Sequence, residues 1–397
     1  MPLGIYISVP FCKTKCSYCN FASDVFSRAV FERYVDRVCI DISNAPQIAT
    51  EMGGHLDQEV DSIYLGGGTP TVLEVQQLQR LFDTVRQQFE VRPDAEVTVE
   101  CAPGTLSPEV LQGLLSCGVN RVSLGVQSFV DAEAAAVGRL HKHATVLDDI
   151  ARLRSAGVTN INVDLIAGLP HQTAETWQQS LDATLATGVA HVSVYMLEVD
   201  EDSRLGREVI AGGTRYHAHF VPDEDASADF YLAACEQLNG AGIAQYEISN
   251  FARAGSESRH NLKYWTRQPY LGFGVDAHSM LLSVDAENEA VRFSTADALE
   301  KYVAGAALQK SAISRANALE ETFFLGLRLN CGVNLREVAS SFGQPSIDYL
   351  CTVIDELVLD GLMHREGDRI RLSSRGRLLS NEVFQCFLVP ITVSSKG

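Results

Sequence analysis

The chain has 397 residues, 46% of them hydrophobic, enough to bury a large core and to form two or three domains. Its formal net charge of -18 repels nucleic acid and anionic lipid wherever no local basic patch overrides it. Ten cysteines without regular spacing outside one run argue against a disulfide framework and for a reducing compartment, and no apolar run is long enough to span a bilayer. With no basic, apolar leader before the first strand, the expected location is the cytoplasm.

Residues 4–9 alternate, placing Ile5, Ile7 and Val9 on one face and Tyr6 and Ser8 on the other, the period of a strand. A loop with the spacing Cys12-x3-Cys16-x2-Cys19 leaves its end. Three thiolates this close converge on one site. Protein ligation of a complete four-iron cube uses four cysteines, so three would leave one iron open. Zinc normally takes paired Cys/His hooks, and no second hook follows; ordinary buried thiols are the other alternative. A helix carrying Phe31, Val35, Val38 and Ile42 comes next, then a strand at 61–65 ending in Gly66-Gly67-Gly68-Thr69-Pro70. Leu78, Leu81, Phe82, Val85 and Phe89 stripe a second helix. The third strand, 96–100, precedes a helix with Ser107 as N-cap and Pro108 as first residue, stopping at Gly118. Strands at 121–126, 160–166 and 191–197 complete the series, the last two joined by a helix striped with Trp177, Leu181 and Leu185.

Six β-then-α units in a row require parallel strands with helical crossovers. The expected fold is α/β, a partial, TIM-like (β/α)6 barrel over residues 1–200. Chemistry in such barrels sits beyond the carboxyl ends of the strands. The cysteines, the glycine triplet, Glu100, Gln127 and Asp164 all fall at or near those ends.

The run from Tyr6 through the cysteines, with Tyr18 beside Cys19, and the glycine-rich turn resemble the radical SAM superfamily, particularly its oxygen-independent coproporphyrinogen III oxidase branch. The resemblance implies a 4Fe-4S cluster on Cys12, Cys16 and Cys19. It also implies S-adenosylmethionine (SAM) on the open iron, where an electron from the cluster can break the sulfonium. Cofactor contacts are implied for Tyr6, Tyr18, Gly67, Gly68, Thr69, Glu100, Gln127, Arg139 and Asp164. A carboxylate can accept from ribose hydroxyls or an ammonium group, and Gln127 can donate and accept.

Residues 201–310 are less regular and form an expected accessory α+β region. They contain Tyr246-Glu-Ile-Ser-Asn250-Phe-Ala, then His260-Asn261-Leu262-Lys263-Tyr264-Trp265 and a glycine loop, Gly272-Phe273-Gly274. If the His260 stretch is helical, His260 and Tyr264 share a face at i and i+4, while Arg259, Lys263 and Arg267 form a positive row able to meet carboxylates. The bland alternative has His260 and Asn261 capping a surface turn that Trp265 anchors. The H-N-x-x-Y-W motif and the stretch before it resemble the heme chaperone HemW family. That resemblance implies heme ligated by His260, and heme-acceptor proteins as partners, including respiratory cytochromes at the membrane; His278, His217 and His219 are the alternative ligands in the sequence. Phe21 stands where the oxidase branch has a further cysteine, and the N-terminal extension of that branch is missing; both favour the carrier over the oxidase, and no catalytic residue is assigned.

Residues 311–397 read as a small winged-helix-like domain. Helical stripes at Leu319, Phe323 and Leu327, at Leu335, Val338 and Phe342, and at Ile347, Leu350 and Ile354 precede a hairpin turning at Glu366-Gly367-Asp368. Arg365, Arg369, Arg371, Arg375 and Arg377 surround the wing, but nearby acidic residues offset them, and no nucleic-acid partner is expected. Three functions therefore stand apart: a heme-binding carrier, a coproporphyrinogen oxidase, and a DNA-binding redox sensor that rests on the wing alone.

Overall fold

The structure, a computed structural model, describes residues 1–388. The expected C-terminal unit ends in residues 389–397, which lie outside the described residues. Six parallel strands follow one another in chain order: β1 (Leu3–Val9), β2 (Glu59–Gly67), β3 (Glu90–Cys101), β4 (Arg121–Gln127), β5 (Asn160–Ala167) and β6 (His191–Met196). The alternation in β1 does what its period requires. Ile5, Ile7 and Val9 are fully buried in the outer core beneath the helices, leaving Tyr6 and Ser8 for the opposite, lumenal face. Helix Phe31–Ser43 buries Phe31, Tyr34, Val35, Val38 and Ile42 and packs on helix Val75–Gln88. Ser107 caps helix Pro108–Ser116, its hydroxyl accepting from the Val110 N–H, and Trp177 is buried with its indole N–H on the Phe230 carbonyl at 2.7 Å.

The region after β6 does not stand aside from this sheet. Strand β7 (Asn250–Ala252) adds antiparallel to β6, while β8 (Tyr270–Gly274) adds parallel to β1 on the other edge. Antiparallel strands β9 (His278–Ser283), β10 (Asn288–Ser294) and β11 (Gln309–Ser314) extend that edge. The segment expected as a glycine loop is therefore a strand. Gly272 is glycine because a Cβ there would collide with the backbone of His278 on the neighbouring strand, so it marks a close approach rather than a turn.

The C-terminal unit has its own core, with Phe323, Leu327, Leu350, Ile354, Met363 and Ile370 among its buried members. Helices Arg315–Gly326, Leu335–Phe342 and Gln344–Leu359 precede the hairpin of Met363–Glu366 with Arg369–Leu372. Ion pairs tie this unit to the barrel: Arg267 to Glu321 at 3.0 Å and Arg328 to Glu247 at 3.5 Å.

Candidate functional site

At the carboxyl ends of the strands the cysteine loop is pinned from both sides. The Cys12 N–H donates to the Asp24 carbonyl at 3.0 Å and the Asp24 N–H to the Pro10 carbonyl at 2.9 Å, closing the loop's base. Lys15 Nζ ties its far end to the carbonyls of Phe21 and Ser23 at 2.7 and 2.6 Å. The Ser17 N–H reaches the Val137 carbonyl and the Thr14 hydroxyl the Gly138 carbonyl, both at 3.1 Å. The thiols thus sit on a scaffold fixed by the fold. Thr69 Oγ1 lies 3.9 Å from Cys12 Sγ, Arg139 Nη1 3.7 Å from Cys16 Sγ and Ser23 Oγ 3.8 Å from Cys19 Sγ.

The glycine turn lies against this loop. The Gly68 N–H donates to the Val9 carbonyl and the Thr69 N–H to the Phe11 carbonyl, each at 2.8 Å. A Cβ on Gly68 would meet those two carbonyl oxygens at 2.7 and 2.8 Å and Cys12 Sγ at 3.1 Å, so only glycine lets turn and cysteine loop close on each other. Glu100 accepts from the Tyr64 hydroxyl at 2.8 Å and from the Gly67 N–H at 3.1 Å. Burial, with the nearby Asp164 carboxylate adding to it, pushes the Glu100 carboxyl up to about 7. Asp164 accepts from Ser123 at 3.0 Å and from Asn162 at 2.7 Å, and burial also raises its carboxyl. Gln127 has φ 71°, at a register shift in the β4–β5 pairing that turns its side chain.

Cys12, Cys16, Cys19, Tyr18, Gly67, Gly68, Thr69, Glu100, Gln127, Arg139 and Asp164 all line one cavity of about 880 Å3. Tyr6 lies beneath it, its hydroxyl facing Gly67. His260 does not join them. It belongs to helix Arg259–Trp265, which closes the opposite end of the barrel. There Glu96, near the amino end of the inner part of β3, accepts from the Ser258 hydroxyl and the N–H groups of Arg259 and His260. The His260 ring is 1% exposed, with Nδ1 3.0 Å from Ser62 Oγ and Nε2 2.8 Å from the Tyr264 hydroxyl. Neither nitrogen is free to bind iron in this conformation, and burial pushes the imidazole down to about 3. The positive row is likewise consumed. Lys263 is buried against Asp61 at 2.7 Å, Arg267 is held by Glu321, and Arg259 donates to the Asp94 carbonyl at 2.8 Å.

The same cavity shows residues that sequence reasoning missed: Arg121, Ser123, Asn162, His191, Ser193 and Tyr64. Asn162 joins Ser123, Asp164, Ser193 and His191 through hydrogen bonds of 2.7–3.0 Å. Their signal was present as polar residues at i and i+2 on otherwise apolar strands, Asn162 with Asp164 and His191 with Ser193. Arg328 and Arg377 close the cavity from the C-terminal unit.

Residues 6–184 match the Radical SAM superfamily and residues 313–379 the HemN C-terminal domain. The chain is 32% identical to the heme chaperone HemW of Lactococcus lactis, covering 98% of each chain, and 34% identical to that of Bacillus subtilis, covering 96% and 98%. It is also similar to the solved coproporphyrinogen III oxidase HemN of Escherichia coli, at 25% identity and TM-score 0.82, over 97% of this chain and 90% of that one. The radical SAM superfamily implies a 4Fe-4S cluster and SAM. The cavity suits them: it is lined by three thiols of one loop at the carboxyl ends of the strands, and a cube takes its thiolates at separate corners. Among the described residues Arg139 Nε, buried beside the thiols, has no hydrogen-bond partner, nor has Thr98 Oγ1 in the cavity wall, leaving polar capacity for a ligand. On this geometry and these full-length similarities, the chain belongs to the heme chaperone HemW family.

Proposed function

We propose that this protein holds heme and hands it to acceptor proteins in the cytoplasm, with a cluster and SAM at the barrel mouth as a supporting site. The observation that carries this reading is similarity along 96–98% of the chain to proteins named heme chaperones, rather than along the barrel alone. In the same reading Cys12, Cys16 and Cys19 hold the cluster, while Gly67, Gly68, Thr69, Glu100, Gln127, Arg139, Asp164, Tyr6 and Tyr18 surround SAM. When bound, the cluster supplies one-electron chemistry. The chain's own part is to fix the thiols, admit the cofactor backbone at Gly68, and offer Glu100 and Asp164 as acceptors that ionise when a cation neutralises them.

His260 is the proposed heme ligand, under a condition the geometry sets. Ser62 and Tyr264 must first release the imidazole, so heme enters a state in which helix Arg259–Trp265 has moved from the barrel floor. Residues 1–200, 201–310 and 311–397 act in this proposal as the cofactor barrel, the heme region and an accessory unit, with respiratory cytochromes as the acceptor class. Nucleic acid has no part in it: Arg365 is paired with Asp355, Arg371 with Glu366, and Arg369 and Arg375 bond backbone carbonyls. Phe21, 64% exposed at the cysteine loop, supplies no fourth sulfur and favours the carrier over the oxidase. The test titrates heme into wild type, His260→Ala and His278→Ala and follows transfer to an apo-cytochrome. Weakened binding and an altered Soret band in His260→Ala alone support the proposal. Wild-type spectrum and affinity in that variant remove His260, and protoporphyrinogen formation from coproporphyrinogen at enzymatic rates replaces the carrier by the oxidase.

A further inference from the structure

Outside the cavity, two imidazoles meet on the surface. His171 lies just after β5, and His217 lies in the short helical segment Arg215–Phe220. His171 Nε2 and His217 Nδ1 are 3.0 Å apart, and both side chains are exposed. The two segments are also joined by the backbone, His171 N–H to the Phe220 carbonyl at 2.9 Å.

The backbone here is unusual. Of six non-glycine residues with positive φ among the described residues, three belong to this contact: His171 (68°), Tyr216 (55°) and His217 (62°). Left-handed conformations are disfavoured for such side chains and persist where the surroundings demand them, often at ligand clamps. Phe220 lies beside both His171 and His219, with ring centroids 4.1 and 4.0 Å away, which restricts how the His171 ring can turn.

We propose that His171 and His217 form a binding site for a divalent first-row transition ion, separate from the cysteine site. At metal–imidazole bonds of about 2.0–2.1 Å, nitrogens 3.0 Å apart subtend about 90° at a shared ion, the angle of neighbouring ligands in square-planar or octahedral coordination. The hydrogen bond between the rings must give way, its donor moving the proton to its other ring nitrogen so that two lone pairs face the ion; no proton is lost. No third protein ligand is gathered among the described residues, so water or a small anion fills the remaining positions.

The ion would clamp the turn after β5 to segment Arg215–Phe220. Between them lies the apolar cluster of Val137, Ile166, Leu169, Leu205 and Ala218, and Tyr18 of the cysteine loop packs on it. The Leu205 N–H also donates to the Ser17 carbonyl at 2.8 Å. Occupancy therefore braces the wall on which the cysteine loop leans.

The experiment uses full-length, cluster-reconstituted protein titrated anaerobically with Ni2+ in competition with a chromogenic chelator. Wild type and a His278→Gln control are expected to take one Ni2+ more than His171→Asn and His217→Asn, or to bind it at least about tenfold more tightly. Asparagine tolerates the left-handed backbone at 217, so that variant keeps the fold. Equal uptake and affinity in wild type and both variants, or no Ni2+ uptake by wild type, overturns the proposal.

Discussion

The two ends of the barrel use similar residues to opposite effect. At the mouth, three thiols, Glu100, Asp164 and Arg139 surround a cavity of about 880 Å3, and Arg139 Nε has no hydrogen-bond partner among the described residues. At the floor, His260, Lys263 and Arg267 are each taken up by protein groups, Ser62 and Tyr264, Asp61, and Glu321 respectively. At the floor too, the buried Trp265 indole N–H lacks a hydrogen-bond partner among the described residues, while Arg328 stacks over its ring at 4.2 Å. A ligand site is distinguished by bonding capacity that the fold leaves open, and residue type alone does not reveal it. The floor in this conformation works as a plug.

The largest effect separating the two ends is expected at the cysteines. Alanine at Cys12, Cys16 or Cys19 should reduce anaerobically reconstituted iron from about four per chain to near zero, while alanine at the exposed Cys331 or Cys386 should leave it unchanged. Iron analysis decides this, and a full cluster in any of the three loop variants would break the assignment. These variants should barely alter stability of the cluster-free protein.

At the floor the order reverses, with stability responding and cofactor binding silent. Lys263→Ala leaves Asp61 without its buried partner and should cost about 3–5 kcal/mol in denaturant unfolding. Lys263→Met together with Asp61→Leu should recover much of that loss. Back at the mouth, Gly68→Ala forces a Cβ against the Val9 and Phe11 carbonyls. A smaller cost of about 1–3 kcal/mol is expected, with SAM affinity falling about tenfold or more and iron content preserved. Equilibrium dialysis and iron analysis on the same sample separate the two sites.

Much of the mouth was legible because its signals are local. Each barrel strand alternates, each motif directly follows a strand, and parallel order puts all strand ends on one side. The floor was legible as a helix with His260 and Tyr264 on one face, but not as a plug. Its partners, Ser62, Asp61 and Glu321, lie 198, 202 and 54 residues from His260, Lys263 and Arg267 respectively, and spacing within a motif carries no record of them. The same limit hid the outer strands. Tyr270-Leu271-Gly272-Phe273-Gly274 has the composition of a loop, and only its place beside β1 makes it a strand.

The finest distinction between the ends is in their response to pH. His260 is pushed down to about 3 from 6.5. Between these values the unfolded chain takes a proton that the native protein refuses, so stability is complete above 6.5 and is lost as pH falls toward 3. Near pH 5 this amounts to about 2 kcal/mol. Glu100 has the opposite sign, raised from 4.5 to about 7. Between those values the native protein keeps a proton that the unfolded chain has released, so stability declines as pH rises through the window and levels off above 7. Because Glu100 faces the open cavity, solvent screens it, and about 1 kcal/mol is expected. Denaturant unfolding of cluster-free wild type, His260→Asn and Glu100→Gln between pH 4 and 8 reads both slopes. His260→Asn should flatten the acid limb. Glu100→Gln should remove the decline between 4.5 and 7, and SAM should do the same if the positive charge of its ammonium group lowers the Glu100 carboxyl so that its proton leaves to solvent. A decline that survives Glu100→Gln would move the titrating carboxyl to Asp164, the other buried acid of the mouth.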